Sequence, residues 1–125
     1  MGYACKLNNS RVPSITYIGG GCKGVTLSGG TTQRFTINVN GITKIGKYIM
    51  TLAGAAYNQS CTSPSITISN ATYKTSVFVN TTAVYTRLYV AQIEITGLSS
   101  SSATASGSLI AGSAGGITFS VSRIS

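Results

Sequence analysis

The sequence predicts an all-β fold, an antiparallel β-sandwich that is jelly-roll-like, with eight or nine short strands and no substantial helix. Several segments alternate apolar and polar residues strictly, as half-buried strands do. Clusters of Gly, Asn and Ser separate these segments at short intervals, which is typical of sandwiches and barrels. No segment has the three- and four-residue apolar spacing of an amphipathic helix.

The N-terminal part divides into an arm and two short strands. Residues 1–13 have no apolar period and are predicted to form an arm that is extended or contributes an edge strand, and residues 14–125 form the single β-sandwich domain. Residues 14–18 and 25–28 are short strand candidates, and the glycines at 19–21 end the first of them.

The cleanest alternation in the chain comes next. Phe35, Ile37 and Val39 share one face of a predicted strand, with polar residues between them. The Asn-Gly dipeptide at 40–41 is typical of hairpin turns because both residues tolerate positive φ. We therefore expect a hairpin here, with residues 42–52 as the returning strand.

The middle of the chain contains a predicted loop, a strand and a hairpin. Residues 53–64 are expected to form the loop, and residues 65–69 alternate as a strand. The hairpin covers residues 73–96, where β-branched and aromatic residues flank a polar turn at 80–82.

The apolar positions change parity within the second strand of this hairpin. Leu88 and Val90 share one face, whereas Ile93 and Ile95 share the other. Because side chains alternate strictly along a strand, this change predicts either a bulge near residues 91–92 or burial on both faces.

The C-terminal part is predicted to contain a connection and a closing strand. Residues 97–107 are rich in Ser and low in complexity, which favours a flexible or extended connection. Residues 108–111 are a short apolar run. Ile117, Phe119 and Val121 then alternate with polar residues in the last strand.

The charge balance suggests two kinds of partner. Charged residues make up 8% of the chain, against about 25% in a typical domain, and a weakly charged surface permits close packing of copies. The net charge of +8 attracts polyanions, although the basic residues are scattered singly. Lys6, Arg11 and Lys23 are the candidates for contact with nucleic acid or an acidic partner, since a terminal arm reaches farthest.

The residue types present exclude most catalytic chemistry. The chain has no His, no Asp and one Glu, so it lacks the usual proton shuttle, the Ser-His-Asp triad and paired carboxylates. A Ser–Lys dyad remains compatible with so many serines. We expect no enzyme activity, no catalytic residue, no cofactor, no metal site and no small-molecule substrate, and we expect Glu94 to be an outward polar residue of its strand.

The three cysteines allow two interpretations. In an oxidising compartment one pair forms, either Cys22 with Cys61, joining two early strands, or Cys5 with Cys22, fixing the arm. In a reducing compartment all three are small buried residues. Four Asn-x-Ser/Thr sequons occur, at Asn8, Asn58, Asn70 and Asn80.

Two resemblances bear on function. The Cys22–Cys61 separation and the closing strand at 117–121 resemble subunits of chaperone-assembled pili, although residues 123–125 lack the aromatic residue usual near the end of pilins. The short strands rich in Ser, Thr and Gly are similar in composition to viral and phage shell or fibre domains.

These features predict a structural protein that self-assembles, as a virion component such as a small capsid, capsid-decoration or fibre protein. No stretch reaches the ~18 apolar residues of a membrane span, and no signal peptide is visible, which favours synthesis in the host cytoplasm. Copies of itself, other virion proteins and packaged nucleic acid are the expected partners. The alternatives are an extracellular pilus or surface-fibre subunit, and a carbohydrate-binding adhesin domain with a sugar site at residues 57–59.

Overall fold

The computed structural model describes residues 5–9, 14–18, 22–27, 33–56, 61–81, 83, 85–111 and 115–125. Among them there is no helix, and there are ten strands. The strands are β1 (Cys5–Asn9), β2 (Ser14–Ile18), β3 (Cys22–Leu27), β4 (Gln33–Ile42), β5 (Gly46–Ala56), β6 (Thr62–Ser69), β7 (Ala71–Asn80), β8 (Thr86–Leu98), β9 (Ala103–Ala111) and β10 (Gly115–Arg123). The sequence predicts eight or nine strands, whereas seven, β4 to β10, have described side chains and form the described core.

The strands form two sheets, as predicted for a sandwich. Sheet A has the order β1-β3-β10-β5-β8-β7, and sheet B has the order β2-β4-β9-β6. All pairings among β3 to β10 are antiparallel. β1 and β2 instead pair in parallel with β3 and β4.

The pairing follows the nested order of a jelly roll. β3 pairs with β10, β4 with β9 and β5 with β8, as in one long hairpin rolled into two layers. The pairings of β10 with β5 and of β9 with β6 complete the sheets. β7 is the departure, because it pairs with β8 in sheet A instead of β6 in sheet B.

The core lies between the two sheets and is built by alternation. Every second residue of the central strands is buried, including those predicted on β4 and β10. The largest fully buried side chains are Phe119, Ile37, Met50, Leu52, Ile93, Ile95, Leu109, Ile117, Val39 and Val121. Burying such a side chain contributes about 1.5–3 kcal/mol relative to exposure, so this interior is the main source of stability.

The predicted hairpin turn at 40–41 is wrong. β4 runs through Ile42, and β4 and β5 lie in different sheets. Gly41 has φ of 83° and falls where the β4–β9 register shifts between Val39 and Ile42. The positive φ that an Asn-Gly dipeptide allows is thus used for a bulge inside a strand.

Two predicted connections are partly strands. Residues 53–56 belong to β5, and residues 62–64 belong to β6, so the predicted loop at 53–64 is shorter on both sides. The connection predicted at 97–107 is also shorter on both sides. Residues 97–98 end β8, and β9 begins at residue 103 and occupies the middle of sheet B.

The long hairpin at 73–96 is confirmed, but its predicted bulge lies elsewhere. β8 pairs with β5 without a register shift, so there is no bulge at 91–92. The shift occurs on the partner strand, between Val77 and Val79 of β7, and leaves Phe78 as the extra residue. A second shift, opposite residues 72–73, leaves Thr96 unpaired with β7.

Part of the predicted N-terminal arm is a strand. β1 pairs with β3 at one edge of sheet A. Residues 1–4 and 10–13 lie outside the described residues, as do the glycines at 19–21. The boundary between arm and domain therefore remains a prediction.

Candidate assembly surfaces

Strand β7 overhangs the sandwich. It is the last strand of the six-stranded sheet A, whereas the four-stranded sheet B ends at β6. From Lys74 to Asn80 every residue of β7 is exposed, although this strand is the neighbour of β8, which carries core residues. Both faces of this part of β7 are therefore accessible.

The overhang carries apolar side chains. Phe78 is 60% exposed and Val77 is 49% exposed. Val77 is the partner of buried Ala91, whereas Val79 is the partner of Val90, so the bulge places the two valines on opposite faces of the sheet.

Exposed apolar residues continue onto β8 and the hairpin turn. Tyr85 and Leu88 are also exposed. We call the group Val77, Phe78, Val79, Tyr85 and Leu88 the β7 edge patch. Exposed apolar residues clustered at one edge of a sheet mark candidate interaction sites on soluble proteins. The parity change at Leu88 and Val90 predicted a bulge or burial on both faces; Leu88 is instead exposed, because this pair faces away from the core.

Arg87 fixes the hairpin to the start of β6. Its guanidinium donates to the Cys61 carbonyl oxygen at 3.1 Å from Nη2 and 3.3 Å from Nε. The same group donates to the carbonyl oxygen of Thr81 and, at 3.4 Å, to Oδ1 of Asn80. One side chain thus joins the segment before β6 to the turn that follows β7, which holds the patch in place.

Cys61 lies at the inner end of this connection. It is a free cysteine, fully buried, and its Sγ is 3.8 Å from the carbonyl oxygen of Tyr85. Burial raises the pKa of the Cys61 thiol, and the nearby Arg87 charge offsets part of that effect. A buried, protonated thiol is a packing residue and a poor nucleophile.

The outer face of sheet B is polar and nearly uncharged. Cross-strand side chains bond to one another: Ser106 donates to Asn38 at 2.6 Å, and Thr104 donates to Asn40 at 2.6 Å. Ser108 is 2.9 Å from Ser65. These outward residues form three rows of cross-strand neighbours, each running from β4 through β9 to β6: Thr36, Ser108, Ser65; Asn38, Ser106, Thr67; and Asn40, Thr104, Ser69. This is a second candidate surface, one of hydroxyl and amide groups.

Two of the three predicted basic contact residues come together. Lys6 of β1 is the partner of Lys23 of β3, and Lys23 is also the partner of Phe119. Partnered positions share a face of a sheet, so positions 6 and 23 lie at the β1–β3 edge on the face of sheet A that carries the buried Phe119. That face is turned toward sheet B, so the register gives the predicted polyanion contact no support. Arg11 lies outside the described residues. The contact with an anionic partner remains a prediction.

The cysteine positions bear differently on the two predicted disulfide pairings. Cys5 and Cys22 are partners in the β1–β3 register, so the backbone brings this pair together. The side chain of Cys22 lies outside the described residues and Cys61 has a free thiol, so the pairing of Cys22 with Cys61 gains no support here and stays a prediction.

Glu94 has the outward position predicted for it. Its neighbours Ile93 and Ile95 are buried, and its cross-strand partners are Lys47 and Lys74. A carboxylate between two ammonium groups compensates like charges on the sheet surface. In the described part of the chain, no group of three or more His, Cys, Asp or Glu residues could hold a metal ion.

Other predicted features fall partly or wholly beyond what is described. The sugar-site residues at 57–59 lie outside the described residues, as does the sequon residue Asn58. Asn70 and Asn80 are exposed. The described residues include no helix long and apolar enough to cross a membrane.

No protein-family model, no curated protein and no solved structure matches the chain.

Proposed function

We propose that the protein is a non-enzymatic structural subunit that self-assembles, and that it serves as a virion component: a small capsid, capsid-decoration or fibre protein. The β7 edge patch is the observation that carries this proposal. Exposed apolar side chains on an overhanging edge strand need a protein partner to remove them from water. The jelly-roll pairing adds support by analogy of fold, since capsid domains use it, although lectins use it as well.

The composition supports a structural role. A chain without His or Asp lacks the groups that usually move protons. Its one Glu partners two lysines on a sheet face, and its described cysteine is buried. Hydroxyl-rich surfaces with few charges allow subunits to pack closely.

Packaged nucleic acid or an acidic shell protein is the second proposed partner. Lys6 and Lys23 are adjacent in register at the edge of sheet A, although on the face that carries the buried Phe119, and Arg11 follows β1 in sequence. Replacing Lys6, Arg11 and Lys23 together by Ser should weaken polyanion binding and reduce its salt dependence. A triple variant that binds single-stranded nucleic acid with unchanged affinity and salt slope would remove these residues from the proposal.

An extracellular pilus or surface-fibre subunit is the alternative that a specific observation favours. The Cys5–Cys22 register would suit a disulfide in an oxidising compartment. Mass spectrometry of the natively produced protein, with and without reduction, distinguishes the two locations. An oxidised pair supports the extracellular fibre, and free thiols support a protein made and kept in a host cytoplasm.

A carbohydrate-binding adhesin domain is the third candidate function. The rows of hydroxyl and amide side chains on the outer face of sheet B favour it. Glycan-array binding by the purified chain tests it. Selective binding that is lost in a Thr67→Ala variant would support this function over assembly.

Electron microscopy of the purified chain at high concentration tests the main proposal. Closed shells, or decoration of shells, would support a virion component, and filaments would support the surface fibre. Isolated monomers under all conditions would contradict both.

A further inference from the structure

The β7 edge carries few of the devices by which natural sheets keep their edges apart. Exposed edges are usually blocked by Pro, by charged side chains or by bulges. The other free edge on this side of the molecule, β6, has Pro64 and a register shift between Thr62 and Ser65. The exposed part of β7 has one lysine at its start and one bulge, and the bulged residue is itself the exposed Phe78.

The chemistry of the patch selects the partner. No charged residue occurs between Lys74 and Arg87, whereas the chain as a whole carries a net charge of +8. A nucleic acid or an acidic protein would bind where cations are concentrated. Two copies of a basic chain repel each other where their cations lie, and an uncharged apolar segment is where they can approach.

We propose that two copies of this chain contact each other through their β7 edge patches in a two-fold symmetric interface, with Phe78 at its centre. A two-fold interface uses the same patch on both subunits, so the most exposed apolar residue of one copy meets its equivalent. This inference rests on the proposed self-assembly and specifies which surface forms the contact.

The size of the patch predicts how the contact behaves. A stable interface buries about 800 Å² per partner, which is more than five partly exposed side chains supply. The pair is therefore expected to be weak in isolation and to be reinforced by other contacts in a larger assembly. Large aromatic residues at the centre of such contacts contribute most of the binding energy.

Cysteine cross-linking tests the proposed geometry. Phe78→Cys should form a disulfide-linked dimer under mild oxidation, because each introduced thiol faces its symmetry copy. Thr67→Cys, at an exposed position on the outer face of sheet B, is the matched control, and the wild-type chain gives the background from the native cysteines. We expect at least about a tenfold excess of dimer for Phe78→Cys over both, as a strongly favoured proximity would give.

Peptide mapping of the cross-linked product then identifies the joined positions. Linkage of residue 78 to residue 78 supports the two-fold contact. Linkage of residue 78 to another position, such as the N-terminal arm of a second copy, overturns it, and so does cross-linking no greater than that of Thr67→Cys.

A charge substitution separates this inference from the proposed function. Phe78→Lys places two cations at the centre of the contact, and Thr118→Lys adds the same charge at an exposed position of β10. Sedimentation velocity should show loss of association for Phe78→Lys only, with both variants retaining the wild-type melting temperature. If the wild type and Phe78→Lys assemble equally, the interface is wrong and assembly uses another surface. If the wild type is monomeric throughout, both proposals are wrong.

Discussion

Gly107 lies directly beneath the aromatic ring of Phe119 in the interior of the sandwich. A Cβ added at Gly107 would come within 2.8 Å of two ring atoms of Phe119, a distance shorter than any normal contact. The small residues of β9, with Ala103 and Ala105 also fully buried, thus make room for large residues of the opposite sheet. The small residues of this segment suggested a flexible connection, but at Gly107 the packing against Phe119 requires a small residue.

Gly107→Ala is therefore expected to destabilise the fold by about 1–3 kcal/mol, as overpacking of a core does. Gly97→Ala is the matched control, since its added Cβ would be 4.0 Å from the nearest atom, the Thr72 Cβ. Chemical denaturation of both variants measures the difference. Equal stabilities for the two variants would contradict the packing described for Gly107.

The buried thiol of Cys61 makes a pH-dependent contribution to stability. Burial raises the pKa of the thiol above its ordinary value of 9.0, so the folded protein retains a proton that the unfolded chain loses. The contribution is complete below pH 9.0 and is lost as the pH rises through the folded pKa.

The comparison of wild type with Cys61→Ala under reducing conditions isolates this effect. The loss of packing in Cys61→Ala does not depend on pH, so the difference in free energy of unfolding should shrink as the pH rises above 9.0. A difference that stays constant, or grows, across that range would show that the thiol is not shielded from water.

At the scale of elements, hydrophobic alternation predicted the strands that are half buried in the sandwich. Phe35, Ile37 and Val39, and the closing strand at 117–121, are examples in which every second side chain enters the core. The errors occurred where one local signal fits two structures. The Asn-Gly dipeptide at 40–41 suits a turn or a bulge, and the choice depends on β9, which is distant in sequence.

The candidate site was only partly predictable for the same reason. Leu88 and Val90 have the parity of an apolar face, but their exposure depends on sheet A extending beyond sheet B. The bulge that exposes Phe78 is likewise a property of the pairing between β7 and β8. No residue pattern within β7 alone specifies either feature.

Arg87 is expected to be the main side-chain connection between the hairpin and β6. Arg87→Ala should cost about 1–3 kcal/mol, because it leaves the carbonyl oxygens of Cys61 and Thr81 without their donor. Arg87→Lys should recover only part of this, since an ammonium group lacks the fork that reaches several acceptors. Limited proteolysis should show faster cleavage at the turn around residues 81–85 in both variants.

Arg123→Ala is the control for this prediction. The Arg123 side chain makes one exposed hydrogen bond, to the carbonyl oxygen of Ile45 at 3.1 Å, and its loss should change stability by less than about 0.5 kcal/mol. If Arg87→Ala and Arg123→Ala have the same small effect, then Arg87 does not hold the hairpin in place.

At the scale of the whole molecule, the nested pairing explains both the fold and its exposed edge. In a jelly roll with two equal layers, the strand after β6 would extend sheet B; here β7 crosses to sheet A and pairs with β8. One layer is therefore wider than the other, and the surplus strand carries the patch. The composition of the strands was enough to predict the fold class. The difference in width between sheets A and B depends instead on which strand β7 pairs with.

Self-association of the intact chain is the property on which the functional account depends. Sedimentation velocity over a wide concentration range, in buffers of low and high salt, measures it most directly. We expect species larger than the 12.8 kDa monomer that increase with concentration and persist in high salt, because apolar contacts are not screened. A single 12.8 kDa species at every concentration and salt level would contradict the proposal that this protein is an assembling structural subunit.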